Sequence, residues 1–254
     1  MRVQPRWWIG VVITLVYMAI VSALWSMTGF DYDAVGDSAT TLREGVVIPV
    51  GVGAVFLAVA ATYLGWWGPS LRERTRIAPR WTLAVPVLMV VIAVSLVASI
   101  DYDAVSSSYL VMLGIGVALV GFSEELLVRG LALVGFRGQM SEGWAWFASS
   151  VLFSVLHGIN LLFGQSTGAT LQQMGGAFVI GSALYVTRMS TGMLALAMAT
   201  HALWDFGAIG MDATDGSSTV AGVLTFPLYI AALVAVFVIV RAHRGTREPA
   251  RSTV

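Results

Sequence analysis

The stretch Gly121-Phe122-Ser123-Glu124-Glu125-Leu126-Leu127-Val128-Arg129-Gly130 sets three ionisable side chains, within six residues, in a run otherwise apolar enough to lie in a lipid bilayer. A charge at the centre of a membrane helix costs roughly 2.5–3.5 kcal/mol on insertion scales. These groups therefore need partners, water or a chemical purpose.

The surrounding sequence makes the membrane setting plain. Of 254 residues, 57% are hydrophobic and 11% charged, with a mean hydropathy of +0.83, whereas soluble domains are about 25% charged. A hydrocarbon core about 30 Å thick takes roughly 20 apolar residues per helix. That rule divides the chain into about eight spans, near 7–28, 46–67, 81–100, 108–136, 143–163, 171–190, 192–211 and 219–240. The expected fold is all-α, a polytopic transmembrane helix bundle. It forms a single transmembrane domain over 1–254, with the motif-bearing core at about 108–211. The first apolar run exceeds the length of a signal-peptide core and no small-residue cleavage site follows, so it is read as a retained helix.

Arginine placement orients the bundle through the positive-inside rule. Arg2, Arg6, Arg72, Arg74, Arg76, Arg80, Arg137, Arg188, Arg241, Arg244, Arg247 and Arg251 fall on one side of an eight-span bundle. The opposite loops carry Asp31, Asp33, Asp37, Glu44, Asp101, Asp103, Asp212 and Asp215 against Arg43 alone. Both termini are therefore expected in the cytoplasm. Tryptophans 7, 8, 25, 66, 67, 81, 144 and 146 sit near span ends, as an interfacial aromatic belt requires. Every basic residue other than histidine is arginine, which with the abundant Ala and Val suits a GC-rich bacterial genome and hence a bacterial cell membrane. Zero net charge gives no basic surface for nucleic acid, and the absence of cysteine excludes disulfides, thiolate metal ligands and a cysteine nucleophile.

Within the spans the ionisable set is short: Glu124, Glu125 and Arg129 in span four, His157 in span five, His201 and Asp205 in span seven. Such groups are expected to face the bundle interior and to pair there. Residues four apart share a helical face while neighbours diverge by about 100°, so Glu125 pairs with Arg129 and Glu124 points elsewhere without a counter-ion. That isolation suits Glu124 to general-base work, although both glutamates binding Arg129 is the simpler alternative. Asp205, four residues after His201, can orient the imidazole, bind a second group or neutralise a histidinium. Taken alone, His157 reads as an interhelical hydrogen-bonder. No His-Glu-x-x-His pair, phosphate loop or Gly-x-Ser-x-Gly elbow occurs. Ser123 has only Leu119, Val120, Leu126 and Leu127 at helical spacing, none of which can serve as its base.

The segments Glu124-Glu125-Leu126-Leu127-Val128-Arg129, Phe153-Ser154-Val155-Leu156-His157 and His201-Ala202-Leu203-Trp204-Asp205 together resemble the CPBP intramembrane proteases. That family includes type II CAAX prenyl endopeptidases and the abortive-infection and bacteriocin-immunity proteins. The resemblance covers 124–205 and implies a hydrolytic water activated by Glu124, with Glu125 and Arg129 in support and His157, His201 and Asp205 completing the site. It implies a peptide or protein substrate at the lipid bilayer, lipidated in CAAX-type members. Where relatives carry Asn, this chain has Asp205. An amide donates to an oxyanion and a carboxylate does so only when protonated, so Asp205 orients His201 or helps to hold a metal. The cofactor stays open: a divalent metal such as zinc has candidate ligands in His157 and His201.

Two rivals remain at this point, a proton-coupled transporter and a non-catalytic immunity or scaffolding membrane protein. The first suits intramembrane acid and histidine groups, but no inverted repeat or matched pair of broken spans accompanies them. Glu124 and Arg129 fall in the half of span four nearer the arginine end, which inclines access to the site towards that end; His157 leans the other way.

Overall fold

The computed structural model describes residues 1–245; Arg247 and Arg251 of the basic tail lie outside the described residues. Among those residues there is no strand, as a bilayer demands of a chain that does not close into a barrel. The principal helices are α1 (Trp7–Thr28), α2 (Ala39–Leu64), α3 (Arg80–Val97), α4 (Ser107–Arg137), α5 (Glu142–Phe163), α6 (Thr167–Thr191), α7 (Leu194–Asp212) and α8 (Thr219–Gly245). The chain is an integral, multi-pass helical bundle.

Seven of these helices, all but α6, are long and apolar enough to cross a membrane. The span expected at 171–190 is therefore helical but more polar than a lipid-facing span. The reason is its position. Gly181 through Ser190 form an unbroken buried run, and the polar residues of α6 are satisfied inside the bundle: Gln173 donates to the Tyr32 hydroxyl at 2.9 Å and Arg188 is enclosed at the other end. Enclosed over Gly181–Ser190, the second half of α6 has no need of an apolar outer face.

Helix ends follow their local chemistry. Ser106 and Ser166 accept from the Tyr109 and Ala169 amides to start α4 and α6, and Ser38 with Thr41 closes a capping box at the start of α2. Gly192, at φ 78°, turns α6 directly into α7. The longest packing seams run from α4 to α2 and to α7, between α7 and α3, and between α5 and α6. Lipid-facing positions such as Val59, Leu171, Phe226 and Phe237 remain exposed, as the surface of a membrane helix should.

Met1, Arg72, Arg74, Arg137 and His243 border one cavity, so both ends of the described chain lie at a common arginine-bearing end. Asp33, Asp37 and Asp212 surround another cavity at the opposite end. Two tryptophans assigned to the interfacial belt prove to be interior anchors. Trp66 is buried and donates to the Val3 carbonyl; Trp25 is buried and donates to the Gly45 carbonyl.

The arginine end is also less solvated than its loop position suggests. Arg188 is fully buried, with Nε donating to Glu73 Oε1 at 2.6 Å and Nη2 to the Pro69 carbonyl at 2.8 Å. Its Nη1 donates to the Arg129 carbonyl on α4. Arg137 joins Glu73 at 2.8 Å to Glu142 at 2.6 Å, and Tyr185 donates to Glu142 at 2.6 Å. Burial pushes the Glu73 carboxyl up, but Arg188 and Arg137 outweigh it and hold the group below its usual range. Glu73 thus contributes full stability above the ordinary carboxylate value of about 4.3, and that contribution is lost as pH falls through the lower folded value. Removing it leaves the buried Arg188 and the half-buried Arg137 each short of a partner. Glu73→Ala is expected to cost roughly 3–5 kcal/mol, read as a lower thermal midpoint in detergent at neutral pH, and to flatten the acid limb of that midpoint. An unchanged midpoint would show the network to be dispensable.

Candidate active site

Glu124 and Glu125 end the regular part of α4, and the next seven residues, Leu126–Ala132, wind as a π-helix. Such bulges loosen the backbone ladder and are common at functional sites. Here the bulge places Arg129 beneath the glutamates, with its carbonyl held by Arg188 on α6. Arg129 Nη1 donates to Glu125 Oε1 at 2.6 Å, and both side chains are buried to within 1%. The helical expectation for this pair holds.

Phe153 organises the remainder. Its ring centroid lies 3.9 Å from the Arg129 guanidinium carbon, and His157 and His201 both meet it edge-on, with centroids at 4.9 and 5.7 Å. The first contact is a cation–π interaction in a dry setting. Across from it, Gly181 on α6 leaves the space that a side chain would take from Arg129 Nη2 and the Phe153 ring. The aromatic residue of the second motif is thus the surface on which the charged residues of α4, α5 and α7 converge.

His201 is the hub of the cluster. Its Nδ1 lies 3.2 Å from Glu125 Oε1, and its Nε2 lies 3.4 Å from Asp205 Oδ2 and 3.9 Å from Glu124 Oε2. Glu125, already bound to Arg129, is acceptor-only when ionised, so Nδ1 carries the proton and Nε2 faces Glu124 and Asp205. The group that orients His201 through Nδ1 is therefore Glu125 on α4, not Asp205 on its own helix. His157 Nδ1 lies 2.8 Å from the Phe153 carbonyl, to which it donates, leaving Nε2 as the lone-pair nitrogen.

Glu124, His157, His201 and Asp205 line a single cavity of about 320 Å³. Glu125 and Arg129 do not line it and lie behind it. Glu124 Oε2 has no hydrogen-bond partner, as expected of the glutamate turned away from Arg129. Ser123, whose hydroxyl also lacks a partner, is buried and outside the cavity lining.

The cavity opens away from the arginine end, contrary to the expectation drawn from the depth of Glu124. Below Glu124 every residue from Glu125 to Phe136 is buried, which closes that route. Above it the walls are Tyr17 and Trp25 of α1, Tyr32 and Val35 of the following loop, and Gln173 of α6. Tyr17, Tyr32 and Gln173 are not among the intramembrane acids, arginine and histidines that the sequence singles out. Asn160 and Gln165 both donate to Gln173 Oε1, at 2.9 and 3.0 Å, and form an amide cluster at the rim. A glutamine within an apolar span was the signal that could have found it.

A metal does not fit the groups as arranged. Zinc takes four ligands at about 2.0–2.3 Å, yet both His201 nitrogens face carboxylates, and His157 Nδ1 is committed to a carbonyl. Among the described residues no three His, Asp or Glu side chains converge as a metal site requires.

No curated protein and no solved structure matches the chain. The three motifs nevertheless fall within one recognised stretch: residues 106–207 are similar to the family model of the Rce1-like type II CAAX prenyl endopeptidases, a likeness that covers the site-bearing part of the chain.

Proposed function

We propose that the protein is an intramembrane endopeptidase in which Glu124 activates water against a peptide bond. The observation that carries this reading is the division of labour between adjacent glutamates. Glu125 Oε1 meets both Arg129 and His201 behind the cavity, whereas Glu124 lines the cavity with both histidines and its Oε2 makes no hydrogen bond there. A water held by Glu124 gives up its proton to that carboxylate as its oxygen bonds to the scissile carbonyl carbon. The C–N bond then breaks, and the same proton passes from Glu124 to the departing amine. His201, with Nδ1–H fixed by Glu125, presents Nε2 to the reaction. When protonated there it donates to the developing oxyanion, flanked by Asp205. His157 Nε2 is a second acceptor and relay for the proton.

The cavity walls are apolar beyond the catalytic end, with Tyr17, Val21, Trp25, Val50, Leu113 and Val117 among the lining. This lining supports a membrane-associated peptide with an apolar or lipidated segment, of which prenylated CAAX peptides are the family's own type. The match to a protease family favours hydrolysis over transport or a silent scaffold. By the positive-inside rule the arginine end is cytoplasmic, so in a bacterial cell membrane both ends of the described chain face inwards and the cavity opens outwards.

Three measurements test this reading. Glu124→Gln is expected to lower peptide cleavage by a factor of about 10²–10⁴ or more with an unchanged thermal midpoint; full activity would sink the assignment. Glu125→Gln is expected to do the opposite first, destabilising the fold by roughly 3–5 kcal/mol because Arg129 loses its buried counter-ion, and a normal midpoint would remove the structural role given to it. For sidedness, the cysteine-free chain allows single substitutions in exposed loops. In intact cells a membrane-impermeant maleimide should label Ser217→Cys at the acidic end and spare Thr75→Cys until the membrane is opened; the reverse pattern would invert the topology.

A further inference from the structure

The hydrolytic cavity has a larger neighbour at its outer end. Val35, Ala208 and Ile209 line both it and a larger cavity of about 800 Å³, whose walls also carry Asp33, Asp37, Asp212 and Tyr109. The two spaces adjoin across these shared walls, which places the outer one as a vestibule beside the catalytic cavity.

Its carboxylates come from separate elements. Asp33 and Asp37 belong to the loop joining α1 to α2, and Asp212 is the last residue of α7. All are exposed, and among the described residues none is in an ion pair. Arg43, at the same end, is bonded to Glu44 at 2.9 Å and so does not neutralise them. Exposed acids alone would be a solvated rim. Tyr109 is not explained that way: it is only 4% exposed, yet its hydroxyl has no partner and lies within electrostatic reach of Asp212 and Asp37. A buried hydroxyl left unpaired is costly, and this one sits in the wall of an acidic, open space.

The size of the space decides between ligands. Among the described residues the vestibule acids do not converge as a metal site does, so a single small ion is poorly served. An extended chain with a guanidinium or ammonium group fits better, because its backbone can run on into the inner cavity while its charge stays among the acids. One-signed clefts also concentrate oppositely charged ligands, by 10-fold to 10³-fold in on-rate. We propose that the vestibule is the substrate entrance and selects peptides bearing a lysine or arginine, held among Asp33, Asp37 and Asp212, a few residues from the bond presented to Glu124. The inference rests on the endopeptidase reading and adds a substrate class to it.

Binding and cleavage are best scored apart. The binding probe is a pair of fluorescent twelve-residue peptides, alike except for two arginines replaced by glutamines, titrated against detergent-purified Glu124→Gln protein. The basic peptide is expected to bind about 10-fold tighter at low salt, the preference shrinking as ionic strength rises. In the same protein carrying Asp33→Asn, Asp37→Asn and Asp212→Asn, the ratio should fall to about one. Equal binding of the two peptides, or a preference that survives the triple substitution, overturns the proposal. Cleavage by protein with Glu124 intact separates the two readings. Charge-selective binding without any cutting keeps the entrance and sinks hydrolysis; cutting that ignores charge keeps hydrolysis and sinks the entrance.

Discussion

Everything in the site depends on an ion pair that the bilayer forbids to stand alone. Glu125 and Arg129 have almost no solvent access, and ions taken out of water cost several kcal/mol each unless geometry and hydrogen bonds repay them. Each therefore recruits further partners: Glu125 takes His201, and Arg129 takes the Phe153 face. The demand for compensation draws α4, α5 and α7 together at one point. Buried ion pairs are often replaced by apolar residues at no energetic cost, but here the three helices would lose the contacts that fix their mutual register.

The same demand reaches the far end of the molecule. The π segment that positions Arg129 loosens the α4 backbone, and Arg188 from α6 meets the Arg129 carbonyl directly. Arg188 is in turn tied to Glu73 and Pro69, so the short connection after α2 braces the reactive helix from below. Two buried polar networks share one residue of backbone. The lower one seals the arginine end and leaves the upper one to open towards the acidic end.

Much of this was legible in the sequence. A spacing of four identified the Glu125–Arg129 pair, and the divergence of adjacent residues sent Glu124 to the cavity. The all-helical bundle and the three motif helices followed from apolar run lengths and from the Glu-Glu-x-x-x-Arg, Phe-x-x-x-His and His-x-x-x-Asp patterns. What could not be read was anything that depends on which helices touch. The Glu125–His201 contact joins residues 76 apart, and local spacing pointed to Asp205 in its place. Arg137 and Arg188 were counted by position as loop charges, although their acidic partners lie in other segments. Trp25 and Trp66 occupy span ends in sequence but interior positions in space, because hydropathy locates a residue along the membrane normal and not around the helix axis.

The depth of Glu124 shows most clearly why sequence position misled about access. Counting along α4 sets Glu124 nearer the arginine end, yet distance to a surface matters less than what fills the path to it. Below Glu124 lie packed leucines and valines and then a salt-bridge network; above it lie the faces of α1, α2 and α7, held apart by aromatic and amide side chains. Water reaches a deep carboxylate by the route that packing leaves open. In this bundle that route leads past Asn160 and Gln173 to the acidic loops, so the groups that hydrolyse and the groups that meet the substrate first lie along one path, with the charge of the loops setting what enters it.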